Sequence, residues 1–188
     1  MSGLYIDSKA KTALLDFKAI LKSILKEFIS PKKEKRDIII LCIGTDKATG
    51  DSLGPLIGYK LSRLPEMRNV KVYGTLKNPV HAINLEQTVN EIYDIYNNPL
   101  VIAIDASLGK MEHIGYITVG KGSIKPGAGV NKDLMEVGDI FITGIVSLTG
   151  FVEISILQST RLSIVMDIAD IVAEGIIDVL MKKYKTTL

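Results

Sequence analysis

Residues 37–55 read DIIILCIGTDKATGDSLGP. Six consecutive apolar residues, Ile38 to Ile43, are too short a run for a typical helix and show no alternation with polar residues. They fit a strand buried on both faces, as parallel sheets require. The chain then turns through Gly44, Thr45 and Asp46 and reaches Asp51, after which Ser52 to Leu64 carry the pattern of a crossover helix. A buried strand, a glycine-bearing loop and a helix form the opening of an α/β domain.

The same alternation continues downstream. Val70 to Thr75, Leu100 to Asp105, Ile114 to Val119 and Asp139 to Val146 are further strand candidates, rich in β-branched residues. Asn84 to Tyr96 is expected to be a second crossover helix, with Asn84 as N-cap and Gln87 at the spacing of a capping box. Residues 151–158 and 162–182 supply the last helices. Upstream, Leu14, Phe17, Leu21, Ile24 and Phe28 recur at helical spacing, so Ser8 to Ile29 form an amphipathic helix ended by Pro31. That helix is expected to pack on the domain; a partner or membrane-surface helix is the alternative. The order α-β-α-β-α-β-β-β-α-α describes a mostly parallel sheet with helices on both faces. The division expected is an N-terminal helix and basic linker over 1–36 and an α/β domain over 37–188.

Length and composition bound the function classes. The chain has 188 residues, a net charge of +2 and 47% apolar residues. One domain of this size buries about 70% of its unfolded surface and needs no disulfide or structural metal to fold. The single cysteine, Cys42, cannot form an internal bridge, which suits a reducing compartment. The longest run without a charged residue, Ile140 to Val152, falls short of the roughly 18 to 20 residues that cross a bilayer. The lysine-studded start does not have the pattern of a signal peptide, so an uncleaved cytoplasmic protein is expected. Residues 1–36 hold nine Lys/Arg against four Asp/Glu. The KKEKR run at 32–36 lacks interleaved aromatics and a nucleic-acid motif, and is taken as a solvated linker.

The loop from Gly44 to Pro55 is no phosphate cradle. Five residues separate Gly44 from Gly50, where a Walker loop has four, and Asp51 stands where its cation should be. No G-x-G-x-x-G follows any strand. Asp51 taken alone would be a helix cap. Asp105 changes the weighing, because VIAID sets it directly after four apolar residues, at the carboxyl end of the third candidate strand. Ligands bind at the carboxyl ends of strands where the strand order reverses. If the first and third candidate strands are neighbours, in an order 2-1-3, Asp51 and Asp105 face one another there. Two such carboxylates can share a proton and activate water, or hold a divalent metal that does so. The glycine-rich stretch Gly120 to Asp133 is expected to be a mobile loop that either covers substrate or joins two strands. His81 and His113 are each expected to be surface histidines, although either would complete a metal site with the two aspartates. Neither Ser52 nor Ser107 belongs to a G-x-S-x-G elbow, and Cys42 is buried in a strand, so covalent catalysis is not expected.

The stretches IGTDKATGDSLGPLIGYKL (43–61), NPVHAINLEQTVNEI (78–92), VIAIDASLG (101–109), PGAGV (126–130) and TGIVSLTGF (143–151) resemble the YyaC-type sporulation proteins of spore-forming Firmicutes, from about Asp37 to Leu180. That family is similar to the spore germination proteases and, more distantly, to the hydrogenase-maturation endopeptidases. The resemblance implies a phosphorylase/hydrolase-like three-layer α/β/α fold with an extra N-terminal helix, and a peptidase that hydrolyses peptide bonds through an aspartate pair. It assigns Asp51 and Asp105 as catalytic. Gly44, Thr45, Asp46, Pro126, Gly127 and Gly129 are the accompanying substrate-binding candidates. The implied partner is a protein or peptide, small acid-soluble spore proteins among them, in the mother cell or forespore; no nucleic acid or membrane is expected, and a homo-oligomer is compatible. No cofactor is expected, unless a divalent metal sits at Asp51 and Asp105. Two departures stand out. The extra segments of the full germination proteases are missing, and the loop reads GTD with no histidine within 126–139, so the nickel recognition of the maturation enzymes does not carry over. The alternatives are a non-catalytic binding or regulatory protein on the same fold and a metal-dependent maturation-type endopeptidase.

Overall fold

The computed structural model describes residues 3–29, 36–63, 69–127, 134–149 and 157–185, with side chains described to residue 180. Its elements run β1 (Leu4–Asp7), α1 (Ala13–Phe28), β2 (Ile38–Cys42), a 3-10 turn (Gly50–Ser52), α2 (Leu53–Ser62), β3 (Val70–Tyr73), α3 (Leu85–Ile95), β4 (Leu100–Gly109), a second 3-10 turn (Met111–His113), β5 (Tyr116–Lys121), β6 (Ile140–Leu148) and α4 (Leu162–Lys185). The six strands form one sheet in the order β1-β5-β6-β4-β2-β3. β2 pairs in parallel with β3 and β4, and β4 with β6, whereas β5 runs antiparallel to both β1 and β6. Only β5 therefore opposes the direction of the other five strands. The expected 2-1-3 order is the observed β3-β2-β4.

Period-two alternation in β2 assigns the two faces. Ile38, Ile40 and Cys42 join the core under α1, α2 and α4, while Ile39, Leu41 and Ile43 join the core under α3, with Leu85, Val89 and Ile92. All five residues of β2 are buried, which is why it reads as a continuous apolar run. α1 is part of the larger core. Phe17 and Leu21 are fully buried there, and a Cβ on Gly175 of α4 would lie 2.3 Å from the Phe17 ring.

Several expectations are corrected. β1 was not foreseen: Leu4–Asp7 is too short to show a period of its own, and its pairing with β5 makes it a strand. Gly120 is not loop but strand, its hydrogen side facing Phe141, whose ring would meet a Cβ at 2.4 Å. The stretch beyond it is closed by an Ile124–Val137 antiparallel bridge; residues 128–133 lie outside the described residues, as do 151–156 of the expected penultimate helix. No capping box forms at Asn84, because its side chain is engaged elsewhere and Gln87 instead donates to Glu91 Oε1 at 2.8 Å. Arg36, expected in a solvated linker, donates to the carbonyl oxygens of Asn98 and Pro99 at 2.7 Å each and lies 3.6 Å from Asp139.

Candidate active site

Asp51 lies in the 3-10 turn between β2 and α2, and glycine packing fixes it there. Gly54 and Gly58 are four residues apart on one side of α2, and a Cβ on either would lie 2.1 Å from the Ile43 carbonyl oxygen or 2.0 Å from that of Gly74. The helix thus rests on the ends of β2 and β3 backbone against backbone. Gly44, at φ +134°, takes the Asp51 carbonyl where a Cβ would stand, 2.1 Å away, and only glycine adopts that backbone without strain. The carboxylate does not cap α2. Thr45 N–H donates to both the Asp51 carbonyl oxygen (3.0 Å) and its Oδ2 (3.1 Å), so the side chain turns back toward the strand ends.

Asp105 is not the last residue of its strand, since β4 runs on to Gly109. The opening arises on one side only. β2 ends at Cys42, paired with Ile104, while β6 continues beside Asp105 at Thr143 and as far as Leu148. The Asp105 side chain is therefore set just past the end of β2, where α2 begins. It is 8% exposed. Ala106 N–H donates to its Oδ1 at 2.8 Å and Gly127 N–H donates to the same carboxyl group. Those donors favour the charged form, yet burial first and the Asp51 charge second push its pKa well above the ordinary carboxylate value. One buried carboxyl group is thus held toward its protonated form beside another carboxylate.

Both carboxylates line two clefts. The larger, about 550 Å³, is walled by Leu108, Ile124, Phe141 and Leu157 with Ser107 and Thr143. The smaller, about 180 Å³, is bounded by Gly44, Thr45, His81, Pro126 and Gly127. Of the sequence candidates, Gly44, Thr45, Pro126 and Gly127 are brought to the aspartates. Asp46 is not: it is exposed on the turn and lines neither cleft. Gly129 lies outside the described residues. His113 stacks loosely between Tyr5 and Tyr116, at 5.5 and 5.3 Å, and borders neither cleft. His81 does border the smaller one, contrary to its reading as a mere surface histidine; no spacing in the sequence signalled this, because the approach is made across the sheet. Cys42 is buried and its thiol pKa is pushed up by burial, which makes it inert. Among the described residues no group of three or more His, Cys, Asp and Glu side chains is arranged to hold a metal ion, although Glu136 also lines the larger cleft. No described helix is long and apolar enough to cross a membrane.

A family model described as "Protein of unknown function (DUF1256)" matches residues 5–175. The chain belongs to the DUF1256 family. This DUF1256 chain is 46% identical over 172 residues to "Uncharacterized protein YyaC" of Bacillus subtilis (strain 168), covering 92% of this chain and 81% of that protein. Among solved structures it is similar to the [NiFe] hydrogenase maturation protease HycI from Thermococcus kodakarensis KOD1, with a TM-score of 0.58 at 20% identity over 84% of this chain and 99% of that one. A hydrogenase 3 maturation protease aligns over 74% of this chain and 88% of that chain with a TM-score of 0.45 at 17% identity. At 20% identity the HycI likeness establishes a shared protease-like fold for the DUF1256 chain and no more.

Proposed function

We propose that the chain is a peptidase in which Asp51 and Asp105 share one proton and direct a water molecule against an amide carbonyl. The carrying observation is that both carboxyl groups open into the same clefts where β2 stops, with Asp105 buried and biased toward its acid form. In the reaction so drawn, ionised Asp51 takes a proton from water as its oxygen bonds to the carbonyl carbon. Asp105, the acid, gives its proton to the departing amine as the C–N bond breaks. Thr45 N–H holds the Asp51 carboxylate in place. The metal-dependent alternative has less support, because among the described residues no three His, Cys, Asp or Glu side chains are grouped to hold an ion. The substrate class is a protein or peptide; small acid-soluble spore proteins, and a setting in the cytoplasm of a sporulating cell, follow from the family resemblance alone.

The test is digestion of a proteome-derived peptide library, with new termini read by mass spectrometry. Wild type should generate a reproducible set of cuts that Asp51→Asn and Asp105→Asn both lose, by about 10³-fold or more, while each variant keeps a cooperative melt. A wild-type chain that cuts nothing, or either variant cutting as well as wild type, overturns the reading and leaves a binding protein on a protease-like fold.

A further inference from the structure

The segment Asn78 to Asn84 has no part in the mechanism above, yet it is bolted onto the site. Val80 forms a parallel bridge with Ile43, and its carbonyl oxygen accepts the Gly44 N–H at 2.8 Å. Asn84 gives up its capping role to hold the loop: its Oδ1 accepts His81 N–H at 2.8 Å and its Nδ2 donates to the Pro79 carbonyl at 3.0 Å. The backbone at His81 is therefore tied to the same Gly44 turn that fixes Asp51. The ring is oriented as well. Its Nδ1 accepts the Ile83 N–H at 3.4 Å, which leaves Nε2–H as the donor the ring can offer. His81 also stands where the 180 Å³ cleft of the two aspartates meets a polar groove along β3 and α3, lined by Tyr73, Thr75, Asn84, Thr88 and Glu91, since it borders both.

We infer that His81 is the electrophile of this site: its Nε2–H donates a hydrogen bond to the oxygen of the carbonyl that the aspartates' water attacks, with the substrate chain running from the β3 groove across the ring. Charge accumulates on that oxygen as the water adds, and a fixed donor stabilises it more in the transition state than in the ground state. No covalent bond to histidine forms, and the ring keeps its proton throughout.

This role rests on the aspartate-pair reading, and one experiment separates the two. Take the strongest cut from the library digestion, synthesise the corresponding peptide, and measure kcat and KM for wild type, His81→Phe, His81→Gln and Asp51→Asn, with a melting curve for each. Removing one such donor costs about 10²–10³-fold in rate. The expected result is that loss in kcat for His81→Phe with KM changed less than about 3-fold, partial recovery in His81→Gln, whose amide can still donate, and melts within a few degrees of wild type. If Asp51→Asn is dead while His81→Phe turns over normally, or if the loss falls in KM alone, the role of His81 is overturned and the aspartate pair stands. If His81→Phe and His81→Gln lose activity equally with lowered melts, histidine only braces the loop and the inference fails. Full activity in Asp51→Asn, or no cutting by wild type, removes both.

Discussion

At the scale of single residues, the candidate site is defined by an imbalance between two carboxyl groups. Asp105 accepts two backbone N–H bonds, which would normally stabilise its anion, but its burial and the Asp51 charge outweigh them. The linkage follows directly. A folded-state pKa raised above the ordinary 3.8 gives stabilisation that is fully present below that value and is lost as pH climbs through the raised one. Asn at 105 cannot ionise. The Asp105→Asn variant is therefore expected to melt close to wild type near pH 4 and above it at pH 8, by about 2–4 °C for each kcal/mol of charge burial relieved. Calorimetric melts across pH 4 to 8 measure the gap, and a constant or shrinking difference contradicts the assignment. Activity should fall over the same upper part of the range, because the acid is then consumed.

At the scale of elements, α2 is the part whose position matters most. Its residues Gly54 and Gly58 meet the backbone oxygens of Ile43 and Gly74 with no room for a methyl group, and that contact puts Asp51 at the rim of β2. Helix amphipathicity alone does not produce such an approach; a side chain on this face would lift the helix off the sheet. Gly54→Ala should cost about 1–3 kcal/mol of stability, the usual penalty of overpacking, and should reduce cleavage by more than the unfolded fraction accounts for, because Asp51 moves with the helix. Comparing denaturant midpoints with rates on the same preparation decides it: an unchanged rate per folded molecule would show that α2 does not position the aspartate. The capping pattern Asn84–Gln87 failed for a similar reason. Asn84 had a better use in tertiary structure, holding the His81 loop, and a local motif yields when a longer-range contact competes for the same atoms.

At the scale of the whole molecule, the described part of the N-terminal segment is built into the domain. β1 completes the sheet against β5, and Ile6, Phe17, Leu21, Ile24 and Leu25 are buried in the core beneath α1 and α4, each contributing about 1.5–3 kcal/mol by burial. Against a typical net stability of about 5–15 kcal/mol, a chain lacking residues 1–36 should lose its cooperative thermal transition and expose apolar surface to a hydrophobic dye; a sharp melt in the truncated protein would contradict this. The sequence by itself determined the parallel centre of the sheet, since strands buried on both faces cannot avoid being written as unbroken apolar runs such as Ile38 to Ile43. It singled out Asp105 as a candidate as well, because a lone carboxylate after an apolar strand stands out against its neighbours; Asp51, by itself a helix cap, became a candidate only through the expected strand order and the family resemblance. Local pattern could not supply β1, whose four residues become a strand only beside β5, nor the course of Arg36, which depends on carbonyls some sixty residues away. It also missed the proximity of His81. Only the tertiary structure decided these, because burial and pairing across a sheet depend on which segments meet in space, and the periodicity of one segment carries no record of its partner.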